Sequence, residues 1–279
     1  MSIFKATASM FLALWVSVPA RSDFVPPGAA LVDDGTGFAG LSELEFNEVL
    51  DKVEASYKPV FESHGAVLII QKLWNDDEEN ASASRTENSW IVTMYGGLAR
   101  NSKITKDAYT LIACHELGHH LGGFVFKEKW SAAEGQSDYF AAMSCLERLW
   151  GNAAEENRSS RKSVDPKAKE MCDGVHSDSA RQDLCYRVMM AGYSAASSLA
   201  GQGAVSFSTP DEYETNVTNV WHPTPQCRLD TFIQAALCTL SYEATVIPQT
   251  EEESSQYTCM TARGFDVGMR PRCWFAPAL

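Results

Sequence analysis

The sequence predicts an α+β protein: a small sheet with an edge strand beside a helical core, closed by a disulfide-stapled C-terminal region. Three observations carry this. Two apolar, β-branched runs, AVLIIQKLW at 66–74 and SWIVTMYGG at 89–97, are bounded by polar and glycine-rich stretches and read as strands. Helical periodicity flanks them on both sides. All eight cysteines lie from Cys114 onward, an even set suited to disulfides.

Taken in order, MSIFKATASMFLALWVSVPA places one lysine ahead of an apolar run and ends in small residues. This is the pattern of an export signal over 1–20, cut near Ala20. A membrane anchor fits less well, because the run from Ala6 to Ala20 is short and interrupted by hydroxyl residues. Residues 21–40, rich in Pro, Gly and Asp, read as an N-terminal lead. From Leu41 to about Glu62, Leu44, Phe46, Val49, Leu50 and Val53 share one face of a helix. An acidic loop, NDDEENASASRTENS, separates the two strands. A helix then starts near Thr105, whose hydroxyl can cap it, and stops at Gly122-Gly123. A second starts near Ser131 and runs through AAEGQSDYFAAMSCLERLW. Residues 151–170 are polar and read as a loop or insertion. Helices follow at about 178–200 and 226–241, joined by a Gly/Ser/Thr-rich connection. One domain over 41–245 and a cysteine-containing tail over 246–279 account for the chain.

The net charge of −13 argues against nucleic acid and anionic membrane surfaces as partners. No stretch after the leader is long and apolar enough to span a bilayer, so an integral membrane protein is not expected. Eight cysteines without a C-x-x-C pair favour disulfides over a thiolate metal site, and with them an exported, periplasmic or extracellular location. The nearest pairs in the second half, Cys227 with Cys238 and Cys259 with Cys273, are the simplest expectation.

Chemistry concentrates in ACHELGHHLGG, 113–123. His115 and His119 are four residues apart, so on a helix both imidazoles face one way and can share a zinc ion. Glu116 then points to the open side of such an ion, where it can take a proton from water. His120 lies about 100° further round the helix and reads as a neighbour. A third histidine would be needed at 125 for a three-histidine site, and Val125 stands there. The next helix offers Glu134 and Asp138 one turn apart: Glu134 is read as the third ligand, Asp138 as acceptor for the N–H of a ligating histidine. Gly118 and Gly135 inside these helices point to close helix–helix approach.

With those residues in hand, the chain resembles the gluzincin metallopeptidases, in particular metallopeptidase family forty-eight, the CAAX prenyl endopeptidase and HtpX-like group. HELGH at 115–119 is similar to the zinc helix, E-x-x-S-D at 134–138 to the third-ligand helix, and His222-Pro223 with Arg228 to the family's late motif. The resemblance implies that His222 contacts the metal or the reaction oxyanion and that Arg228 approaches the third-ligand carboxylate. It also implies that SWIVTMYGGLAR holds the edge strand to which a peptide substrate adds. The expected activity is hydrolysis of protein or peptide substrates by zinc-activated water, in an exported, disulfide-rich relative of that group. Two rival readings fit the same residues: a zinc-bound latent or binding module without proteolysis, and a metal-free structural protein.

Overall fold

The structure, a computed structural model, describes residues 21–33, 35, 39–201, 204–240 and 245–277; the expected export signal at 1–20 lies outside them. The chain begins with a short strand β1 (Arg21–Asp23), then helix α1 (Glu43–Ser63) and strands β2 (Val67–Leu73), β3 (Ala81–Arg85) and β4 (Ser89–Tyr95). A short α2 (Gly96–Arg100) leads to α3 (Lys106–Leu121), α4 (Glu134–Phe140) and α5 (Leu146–Trp150), the last two joined by a wide π turn at Ala141–Cys145. Then come α6 (Ala154–Ser159), α7 (Pro166–Val175), α8 (Ser179–Leu199), α9 (Pro225–Leu237) and α10 (Glu251–Ser255). The fold is α+β.

Local chemistry sets the helix starts. Ser42 and Glu45 form a reciprocal capping box on α1. Thr105 accepts from Ala108 N–H at the start of α3, as its position predicts, and Asp165, Asp178 and Thr224 cap α7, α8 and α9. Helix α3 is the axis of the molecule: every residue from Ala108 to Leu121 is buried. It packs on α1, α4 and α8 and lies against the sheet. No helix among the described residues is long and apolar enough to cross a membrane.

The sheet order is β1-β3-β4-β2, with β2 and β4 parallel and the other pairs antiparallel. Two expectations change here. The acidic loop contains strand β3, whose Ala81, Ser82 and Ala83 are buried although none is a strong strand former. Ser89–Tyr95, expected at an edge, is bonded on both sides; the edges are β2 and β1, the latter formed by what reads in sequence as a lead. Residues 151–170 likewise differ, forming α6 and the start of α7 around buried Asn157 and Ala168.

Four disulfides tie the helices: Cys114–Cys145, Cys172–Cys185, Cys227–Cys273 and Cys238–Cys259. The expected pairs Cys227–Cys238 and Cys259–Cys273 do not form. Helix α9 spans the first interval, and at about 1.5 Å per residue it holds those cysteines about 16 Å apart. A disulfide needs Cα atoms within about 7 Å. The tail is stapled instead to both ends of α9.

Candidate metal centre

Close packing of α3 on α4 builds the site. A Cβ on Gly118 would meet the Ser137 carbonyl oxygen at 2.8 Å, so glycine lets the two backbones touch. Gly135 serves a different neighbour: a Cβ there would lie 2.3 Å from the Trp274 ring of the tail. The expected helix–helix approach therefore holds at Gly118 only.

Across this contact, His115 Nε2 lies 3.4 Å and His119 Nε2 3.7 Å from Glu134 Oε2. The three atoms all fall within 4.8 Å of one another, a group able to hold a metal ion. Two ligands on a tetrahedral zinc, each at about 2.1 Å, sit about 3.4 Å apart, so the spacing suits such an ion. The unmet bonding need is more telling. His115 Nε2, His119 Nε2, Glu134 Oε2 and both Glu116 carboxylate oxygens are buried without a hydrogen-bond partner. Buried polar atoms are nearly always satisfied, and five such atoms in one place call for a ligand.

The atoms behind them are, by contrast, fully engaged. His115 Nδ1–H donates to Asp138 Oδ1 at 2.7 Å, and His119 Nδ1–H donates to the Ala132 carbonyl at 2.9 Å. Both bonds fix the tautomer that leaves Nε2 as a bare lone pair. Asp138 is held in turn by a two-pronged Arg228, whose Nε and Nη2 reach its oxygens at 2.8 and 2.7 Å. The resemblance places Arg228 at the third-ligand carboxylate; here it grips Asp138 instead, while Lys127 Nζ takes Glu134 Oε1 at 2.9 Å. That leaves Oε2 of Glu134 facing the Nε2 atoms of His115 and His119.

Electrostatics follow from burial and these partners. Burial pushes the Glu116 carboxyl well above its usual range, although His115 pulls the other way. Burial lowers the His119 imidazole to about 3, keeping it neutral. Burial also opposes charge on Asp138, but Arg228 and His115 outweigh it and hold the carboxyl below its ordinary value.

His222, on the loop before α9, brings Nε2 to 3.4 Å from Glu134 Oε2 and donates to the Asp23 carbonyl at 2.7 Å. So His115, Glu116, His119, Glu134, Asp138, His222 and Arg228 converge on one place. His120 stands apart, its Nε2–H on the Ile91 carbonyl and its Nδ1 accepting from Arg85. Sequence reasoning missed Lys127, which carried no signal beyond its place in the turn between α3 and α4.

No family model, curated protein or solved structure matches this chain in comparison.

Proposed function

We propose that the protein is an exported zinc metallopeptidase of the gluzincin type, hydrolysing peptide bonds in protein or peptide substrates. The observation that carries this reading is the set of five unpartnered buried atoms contributed by His115, Glu116, His119 and Glu134. Two imidazoles and one carboxylate are a donor set that suits zinc and leaves a position open for catalysis. Zinc held there would supply Lewis acidity and acidify a water molecule.

The chain's own residues do the rest. Glu116, beside that position and raised in basicity by burial, takes the proton of the attacking water and returns it to the leaving amine. His222 Nε2–H, already on a peptide carbonyl oxygen, stabilises the negative charge that develops on such an oxygen. Asp138 and Arg228 keep His115 oriented.

One observation favours the latent alternative: Glu116, Glu134 and both ligating histidines are completely shielded from solvent. The readings part on turnover. In the peptidase reading, Glu116→Gln retains the metal and loses cleavage of a quenched-fluorescence peptide library that wild type cuts. Equal rates from both proteins would remove Glu116 from the mechanism, and no cleavage by either would favour a binding module.

A further inference from the structure

Asp23 and Phe24 lie against the centre, the first through its carbonyl on His222 and the second through its ring on His115. Strand β1 lies antiparallel on β3, with Arg21 opposite Ser84, Ser22 opposite Ala83 and Asp23 opposite Ser82. Its continuation, Phe24-Val25, bends beside the site and is held through its main chain. Phe24 N–H donates to the Ala81 carbonyl at 3.0 Å and Val25 N–H to Asn80 Oδ1 at 2.9 Å. The Asp23 carbonyl accepts from His222 at 2.7 Å and the Phe24 carbonyl from Arg228 Nη1 at 2.8 Å.

A strand that merely extended the sheet would need only the β3 backbone. Here its far side is gripped by His222 and Arg228, side chains adjoining the ligand set. Every one of these bonds goes to backbone, so any extended peptide could make them. Side-chain recognition centres on Phe24. It is fully buried, with its ring 5.3 Å from that of His115 and 4.1 Å from the Arg228 guanidinium.

We propose that Arg21–Val25 is a resident ligand of the protein's own peptide cleft. The Asp23 carbonyl stands where a scissile carbonyl would lie, and Phe24 fills the pocket for the residue that follows it. The ligands that compete in trans are extended peptides with a large apolar residue at that place. This rests on the peptidase reading, and it makes access to the centre depend on lifting one short strand. A tethered ligand acts at an effective concentration in the millimolar range, so a free peptide binds weakly until the strand is loosened.

The test uses full-length protein carrying Glu116→Gln, which prevents turnover. The probe is a fluorescein-labelled heptapeptide, Arg-Ser-Asp-Phe-Val-Pro-Pro, repeating residues 21–27, with binding read by anisotropy. Adding Phe24→Ala should tighten binding tenfold or more, and a probe with alanine in place of its phenylalanine should lose that gain. Equal affinity for parent and Phe24→Ala, or for both probes, would overturn the proposal.

Should Phe24→Ala fail to fold, a cross-link between Arg21→Cys and Ser84→Cys, paired in register outside the ligand set, keeps the question open to decision. Locking the strand should slow removal of bound metal by excess chelator at least tenfold, and an unchanged rate would overturn the idea. The failures are separable. A protein that binds no metal sinks the peptidase reading, whereas peptide binding still judges the resident strand.

Discussion

His119 and His120 are neighbours on one buried helix, yet they stand in opposite chemical conditions. Both nitrogens of His120 are engaged, by Ile91 and Arg85, and its ring stacks between Trp90 and Trp130 at 5.6 and 5.2 Å. His119 has one nitrogen tied to Ala132 and the other left bare beside His115 Nε2 and Glu134 Oε2. Burial is the same, and so is the residue type. What marks the site is the clustering of unmet bonding need: Tyr57, Ser144 and Trp274 each leave one buried atom without a hydrogen-bond partner, whereas five such atoms gather here.

The sharpest way to break this comparison is to remove one member of each set. His119→Ala or Glu134→Ala should abolish metal binding, since only two protein ligands remain, and elemental analysis after dialysis reads the loss. His120→Ala should retain the metal and cost about 3 kcal/mol of stability through its lost stacking, measured by denaturant unfolding. If the outcomes were exchanged, the distinction drawn from hydrogen bonding would fail.

Smaller effects sharpen the picture. Glu116→Gln should lower turnover at least about a hundredfold at unchanged metal content. His222→Ala should keep the metal and reduce kcat about a hundredfold, because a donor to the developing oxyanion is gone. Metal loss in that variant would instead make His222 a ligand. Asp138→Asn should weaken metal affinity about 10–100-fold, measured by competition with a chromogenic chelator. The same change leaves the buried Arg228 without its carboxylate, at a stability cost of about 3–5 kcal/mol. Undiminished affinity would mean that the Asp138 bond does not orient His115.

The inner half of the site was legible because helical periodicity is a strong constraint. The spacing of His115 and His119, and of Glu134 and Asp138, places each pair on one helix face before any tertiary contact is known. The outer half was not legible. Strand β1 has three residues, and β3 has small residues buried on both faces, so neither presents an alternation of apolar and polar positions. Their strand character comes from pairing with each other and with β4. The disulfides were misread for the opposite reason: proximity in sequence suggested Cys227–Cys238, and the rigidity of α9 forbids it. Helices α6 and α7 bury little beyond Asn157, Ala168 and Cys172, which leaves a weak apolar signal in a polar stretch.

The central claim is that His115, His119 and Glu134 form a metal centre. The most direct test is zinc stoichiometry of the purified, disulfide-bonded protein after dialysis, by elemental analysis, with Glu134→Ala alongside. About one zinc per chain in the wild type and none in the variant is the predicted result. A wild-type protein that holds no zinc, or a variant that holds as much, would contradict the account and leave the bare atoms of this helix unexplained.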